Sequence, residues 1–541
     1  MCEPRRQSGS TVRPEAHPGC GILRFGAERP IIVSVSQTSK RDSCECTHTG
    51  LYPGEACDKR LPETPAGALI LPVHTKPYPI CRGGPYRHGG SSGRGGKKLK
   101  ILGKRRVTAF QLIVVGFIGL ILTGALLLML PVSSKEPGSV GFLDCLFTAT
   151  SAACVTGLVV RDTASSWTPF GQAILLLLIQ IGGLGVVTAA ISMSFLSGKK
   201  IGLMQRSVMQ ASISAPQVGG IIRLTRFIVI TAFLLEFGGA LLLLPPMISA
   251  FGVGKGIWCA FFHSISAFCN AGFDLMGEGA PFSSLTRFQG DVWTNIVVML
   301  LITVGGIGFL TWDDFRAHGL RWRQYRLQTK VVLLTSGILV LLPALWFFFF
   351  EMQELPTLQR LVPALFQSVT LRTAGFNTVD LSSISAPGQA MMIGWMLVGG
   401  SPGSTAGGMK TTTIAVLLVT AWSVFRRQEN VTCLGRRMED SAVRNAVALL
   451  VMYWLLFLVS GLLISRIEQL PPLTCLFETA SALGTVGVTL GITSRLSTVS
   501  RFILIALMFL GRVGGLTLIY AAQSGFRPSR LTLPLEKITV G

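Results

Sequence analysis

The chain has 541 residues, a formal net charge of +22, 49% apolar residues and only 14% charged ones, with a mean hydropathy of +0.55. That charged share is well below the ~25% usual for soluble domains, which excludes disorder as a whole-chain description and argues against an ordinary soluble enzyme. A nucleic-acid binder would gather its basic residues on one soluble face. Here long apolar runs interrupt them, the pattern of a multi-span membrane protein with basic cytoplasmic loops.

Residues 1–96 differ from the rest. They are rich in Gly, Pro, Arg and Ser, lack a helical period, and end in the linker-like run GGPYRHGGSSGRGGKK, so they are read as a disordered extension. No charged and apolar leader pattern of a signal peptide occurs there. Six cysteines fall in this part, and Cys44, Cys46 and His48 form half of a metal clip with no second half. The other six, Cys145, Cys154, Cys259, Cys269, Cys433 and Cys475, show no paired spacing.

Apolar runs then cover 107–131, 169–196, 224–249, 291–312, 330–350, 388–425, 442–465 and 501–524. Each reaches or approaches the ~20 residues that cross a ~30 Å hydrocarbon core. Basic clusters occupy alternate gaps: Lys97 to Arg106, Lys199 to Arg226, Arg316 to Lys330, Arg426 to Arg444, and Arg527 to Lys537. By the positive-inside rule those gaps and both termini are cytoplasmic.

The remaining four gaps face outside and hold related segments: LFTATSAACVTGL (146–158), FFHSISAFCNAGF (261–273), LFQSVTLRTAGFN (365–377) and LFETASALGTVGV (476–488). Each has a Phe (147, 262, 366, 477), a hydroxyl residue four positions on (Ser151, Ser266, Thr370, Ser481) and then one glycine: Gly157, Gly272, Gly375 or Gly487. The fold expected is therefore all-α and polytopic. Four tandem units of span, pore loop and span give eight transmembrane helices and four re-entrant pore helices in pseudo-fourfold arrangement. The units are taken as 97–200, 201–320, 321–430 and 431–541.

Irregular backbone at membrane depth survives only where it is buried in protein or lines water. A short helix ending in a glycine bend aims carbonyl oxygens at the axis, and a ring of them replaces a cation's hydration shell. Potassium suits such a filter, being cheaper to dehydrate than sodium. The expected ion contacts are Val155, Thr156 and Gly157; Asn270, Ala271 and Gly272; Thr373, Ala374 and Gly375; and Thr485, Val486 and Gly487. No acidic ring occurs at the glycines, while Asp144, Asp274, Asp380 and Glu478 nearby are expected to concentrate cations.

These residues resemble a known family. CVTGLVVRDT, NAGFDL, RTAGFNTVDL, GTVGVTLG, GGSPGSTAGGMKTTT and GRVGGLTL are similar to signatures of the Ktr/Trk/HKT potassium transporters, over about residues 106–525. The similarity is greatest to KtrB, the membrane subunit of Ktr systems, since the extra N-terminal spans of Trk-type relatives are not seen. The resemblance implies potassium uptake across the plasma membrane, often sodium-stimulated, without catalysis or an organic cofactor. It also implies a homodimer in the bilayer, seated on a cytosolic KtrA-like nucleotide-binding ring. Gly157 fits a potassium filter, whereas some sodium-selective relatives carry Ser there.

The run 388–425 would make a helix of about 57 Å, nearly twice the core. Something must interrupt it, and GGSPGSTAGG (399–408), with five glycines and Pro402, is the place. By resemblance this is an intramembrane gate, with Gly399, Gly400, Gly403, Gly407, Gly408 and Lys410. Arg512, about 16 Å beyond Arg501 along the last span, is a costly mid-membrane charge assigned to the same constriction. Glu236 is also deep, either neutralising a buried base or supporting packing. Gly403 to Thr411 resembles a phosphate loop, but Met409 breaks the spacing and no strand precedes it. GGLG (182–185) and GGIG (305–308) are read as helix-packing glycines. Two rival readings are a potassium-translocating subunit of an ion-pumping ATPase and a polytopic membrane enzyme; the second lacks paired acids or a His cluster on any span.

Overall fold

The computed structural model describes residues 108–522 apart from 137, 190–201, 214–218 and 279, together with 534, 536, 538 and 539. The N-terminal extension with Cys44, Cys46 and His48, and the basic residues at 97–106, 199–200 and 527–537, lie outside the described residues. What is described is a mostly helical, multi-span membrane protein. Its helices are α1 (Ala109–Leu128), α2 (Phe142–Ala153), α3 (Thr163–Ser166), α4 (Pro169–Leu184), α5 (Leu203–Ile213), α6 (Ile221–Phe251), α7 (Val253–Phe268), α8 (Val292–Ile307) and α9 (Phe309–His318). They continue with α10 (Leu327–Trp346), α11 (Thr357–Thr370), α12 (Ala386–Met396), α13 (Thr411–Phe425), α14 (Asp440–Glu468), α15 (Pro472–Gly484), α16 (Thr498–Val513) and α17 (Gly515–Ala522). A two-residue hairpin, Thr432–Cys433 against Arg436–Arg437, joins α13 to α14.

Four helices cross a membrane unbroken by length and composition: α1, α6, α10 with its π-helical end at Glu351, and α14. Each is followed by a short helix that stops inside the protein: α2, α7, α11 and α15. Their phenylalanines Phe147, Phe262, Phe366 and Phe477 are fully buried, so each short helix is anchored by one large ring in the packed interior.

The second helix of each set corrects the sequence reading. The runs 169–196, 291–312 and 501–524 are not continuous spans. α4, α8 and α16 have 16 residues each, about 24 Å at 1.5 Å per residue, and each stops at a glycine. Gly185, Gly308 and Gly514 have φ of 89°, 101° and 86° with ψ of 133°, 141° and 133°, a backbone open to glycine alone. At Gly308 the chain turns by 94° into α9. In the third set the interruption is a whole loop, 397–410, between α12 and α13.

The glycine three residues before each break also has a physical reason. A Cβ on Gly182, Gly305 or Gly511 would collide with the end carbonyl of the adjacent short helix, at Ala153, Phe268 or Leu483. So in GGLG and GGIG the first glycine admits close packing, as read from sequence, GRVG does the same, and in all three the last glycine breaks the helix. Arg512 stands where the other two segments have Gly183 and Gly306.

Gly308→Ala is expected to cost about 1–3 kcal/mol through backbone strain, aggravated by a Cβ 2.8 Å from the Pro402 carbonyl. Gly238→Ala, whose Cβ meets nothing within 4 Å, should be neutral. Thermal melting of the two variants in detergent checks both.

Candidate functional site: a ring of four glycines and the loop beneath it

The short helices all end in the same local geometry. Val155, Asn270, Thr373 and Thr485 follow the helix ends with φ of 50°, 57°, 67° and 53°. Two residues on, Gly157, Gly272, Gly375 and Gly487 have φ of 94°, 68°, 84° and 94°. Left-handed Val and Thr are costly, and here the surrounding bonds hold them. The amide of Thr156 donates to the Ser151 carbonyl, Ala271 to Ser266, Ala374 to Thr370 and Val486 to Ser481, at 2.8–3.0 Å.

The repeated hydroxyl residue braces the glycine limb from behind. Ser151 Oγ accepts from the Gly157 amide at 3.1 Å, and Ser481 Oγ from the Gly487 amide at 3.0 Å. In the other two segments the hydroxyl donates one residue beyond the glycine, Ser266 to the Phe273 carbonyl at 2.7 Å and Thr370 to that of Phe376.

The four limbs meet one another in chain order. A Cβ on Gly157 would lie 2.7 Å from the Ala271 carbonyl oxygen and 3.2 Å from Gly272 Cα. One on Gly272 would lie 2.7 Å from the Ala374 oxygen, and one on Gly375 2.7 Å from the Val486 oxygen. Gly487 closes the ring against the Thr156 oxygen and Gly157 Cα. Thus all twelve residues named from sequence come together around one centre, and the eight non-glycine members are fully buried.

Below the ring lies loop 397–410. Gly399 donates to the Met409 carbonyl at 2.8 Å, Thr411 to that of Gly400 at 3.1 Å, and Gly408 to that of Gly511 at 3.1 Å. Ser401 and Thr405 donate to the Gly306 and Gly305 carbonyls at 3.0 and 3.2 Å, and Phe309 donates to the Gly403 carbonyl at 2.6 Å. The loop is therefore stitched to the carbonyls that the broken helices leave free. It also touches the ring: Thr405 Oγ1 donates to the Phe268 carbonyl at 3.1 Å and stands 3.5 Å from the Asn270 side chain. A Cβ on Gly407 would strike the Thr485 side chain.

Arg512 joins the loop to the first segment. Its Nη1 donates to the Thr405 carbonyl, and its Nη2 donates to the carbonyls of Gly182 and, at 2.8 Å, Gly183. Lys410 Nζ donates to the Ala406 carbonyl at 2.9 Å. A cavity of about 240 Å³ beside them is lined by Gly183, Gly185, Gly403, Gly408, Lys410 and Arg512, among others. All seven residues named from sequence at the constriction lie in this one region.

The acidic residues expected to concentrate cations differ in their surroundings. Asp144 is paired with Arg501 at 2.7 Å and Arg161 at 3.0 Å, so its charge is spent on guanidinium partners. Glu478 is fully buried and receives the hydroxyls of Thr489 and, at 3.1 Å, Thr493. Asp274 accepts from the Met276 amide at 3.0 Å; exposed Asp380 caps the turn at 381–383. Glu236 is buried and forms no ion pair among the described residues; Gln180 Nε2 donates to both its oxygens at 2.9 and 3.0 Å. These bonds join α4 to α6.

Known proteins match this chain over most of its length. The TrkH family, described as cation transport protein, matches residues 103–526. A protein named potassium/sodium uptake protein NtpJ, from Enterococcus hirae, is 36% identical over 81% of this chain and 98% of its own. Ktr system potassium uptake protein B of Bacillus subtilis is 36% identical over 79% of this chain and 95% of its own. The crystal structure of the potassium transporter TrkH from Vibrio parahaemolyticus shares the fold, with a TM-score of 0.61, 18% identity, and coverage of 78% of this chain and 85% of that one.

Ser481→Ala leaves the buried Gly487 amide without its acceptor, a loss of about 1–3 kcal/mol. The expected result is a lower melting temperature in detergent than wild type, with no such loss for exposed Ser382→Ala.

Proposed function

Because the chain belongs to the TrkH family of cation transport proteins, we propose that it carries potassium into the cell across the plasma membrane, with sodium stimulating uptake. The four pore loops form its filter. The observation that carries this reading is the ring in which each glycine lies against the carbonyl before the next, in chain order, returning to the first. The carbonyls of Val155, Thr156 and Gly157, and of their counterparts at 270–272, 373–375 and 485–487, replace potassium's water shell. Glycine is needed because any Cβ would enter the neighbouring limb.

In this reading four repeats, 97–200, 201–320, 321–430 and 431–541, surround one path in pseudo-fourfold fashion. Each contributes an unbroken span, a re-entrant pore helix and a broken span. Both termini are cytoplasmic. Two copies form a dimer on a KtrA-like nucleotide-binding ring in the cytosol, which transmits regulation to loop 399–408. The loop is the gate and Arg512 its latch. The arginine's five donors suit the cluster of helix-end carbonyls, and its positive charge opposes cation passage while the latch is closed.

Growth of a potassium-uptake-deficient bacterium at low potassium tests the function directly. The intact chain should restore growth. Gly157→Ser should reduce the preference for potassium over sodium in uptake assays, and unchanged discrimination would count against the filter. Deleting part of 399–408, or replacing Arg512 by Gln, should raise flux several-fold; an unaltered rate removes the gate.

A further inference from the structure

Two features of the molecule lie outside the ion path and sit on the same helices. One is a basic pocket of about 370 Å³ where the start of α6 meets α9, lined by Gly220, Arg223, Phe227, Asp313, Arg316 and Arg326, among others. Asp313 is already held by Arg326 at 2.8 Å. Arg223 and Arg316 have no ion-pair partner among the described residues, and Arg316 lies over the Phe227 ring, 4.7 Å from its centroid. An adjoining cavity adds Arg206, whose Nε is buried without a hydrogen-bond partner. Gly220, the N-cap of the 31-residue α6, offers no side chain to the amides of its first turn. Arg326 is also shared with Asp314 at 3.3 Å, so the cations without a carboxylate partner among the described residues are Arg206, Arg223 and Arg316, beside the open amides of α6.

The other feature is an apolar groove of about 570 Å³ between α6 and α8, lined by Leu234, Leu235, Gly238, Leu242, Leu300 and Val304, among others. Leu234, Leu242 and Leu300 are 66%, 46% and 57% exposed, and Gly238 opens onto empty space. Leu234 to Leu242 stand seven to fifteen residues beyond Phe227, about 10–22 Å along α6. One leaflet of hydrocarbon is about 15 Å deep, half of the ~30 Å core. The distance from the basic pocket to the groove along α6 therefore suits the length of one acyl chain.

We propose that α6, α8 and α9 form a binding site for an anionic phospholipid of the inner leaflet. Its phosphate lies between Arg223 and Arg316 at the open end of α6, and an acyl chain fills the groove beside Gly238. Basic pockets between transmembrane helices on the cytoplasmic side suit such headgroups, and charge complementarity favours this occupant over a second protein copy. The site rests on the transport reading only for which side is cytoplasmic, and lipid binding is measured without any ion flux.

The test uses the full chain purified in detergent. Phosphatidylglycerol, phosphatidylcholine of the same acyl chains, and inorganic phosphate are added separately, and the melting temperature is followed. Phosphatidylglycerol should raise it, with little response to the other two. The shift should fall at least twofold in the double variant Arg223→Gln, Arg316→Gln, and independently in Gly238→Phe. The proposal is overturned if both variants keep the full shift, if phosphate alone reproduces it, or if phosphatidylcholine matches phosphatidylglycerol. It is also overturned if light scattering shows Gly238→Phe to separate paired copies, since the groove would then be covered by protein.

Discussion

Backbone polar groups at membrane depth have no water to satisfy them, and this constraint organises the whole molecule. Each short helix ends in mid-protein, which frees carbonyls and forces the next residues through left-handed conformations at Val155, Asn270, Thr373 and Thr485. The glycine limbs that follow are held by the four hydroxyls: Ser151 and Ser481 accept from the Gly157 and Gly487 amides, and Ser266 and Thr370 donate to the Phe273 and Phe376 carbonyls. What remains is a set of carbonyls turned toward the neighbouring limb. In the proposed filter those are the oxygens offered to the ion.

The same constraint explains why the second helices break and why something must fill the breaks. Gly185, Gly308 and Gly514 stop three helices and leave their last carbonyls unpaired by helix. Loop 397–410 supplies amides to Gly305, Gly306 and Gly511, and Arg512 supplies its guanidinium to Gly182 and Gly183. A mid-membrane arginine is expensive when isolated. Here it occupies a position that is glycine in two other segments, so the space and the acceptors are both present. Displacing the loop would leave all these groups without partners together.

The sequence disclosed the ring and hid much of its support. Phe, hydroxyl and glycine recur four times at nearly constant spacing, and the excess length of 388–425 betrays one interruption. The breaks at Gly185, Gly308 and Gly514 were not legible, because G-x-x-G within an apolar run is equally the signature of close helix packing. The spacing from each short segment to its G-x-x-G was the available signal. Left-handed Val155 and Thr485 could not be foreseen, since β-branched residues take that conformation only under tertiary compulsion. Nor could the pairing of Asp144 with Arg501, which lie 357 residues apart.

Symmetry is kept at one level and abandoned at the next. The ring treats its four glycines alike, as a carbonyl filter must if an ion is to sit on the axis. Immediately below, the third segment has a loop where the others have a single glycine bend, and the fourth has an arginine where the first two have glycine. In the proposed gate, the loop and its latch occur once rather than four times. One asymmetric plug is all that such a gate requires, and only one segment carries the extra length and the Gly-Ser-rich composition. The loop is tied to carbonyls of the second and fourth segments, and Arg512 links it to those of the first. In the proposed reading, selectivity is distributed over the four limbs, whereas control is concentrated in one loop whose docking draws on the other segments.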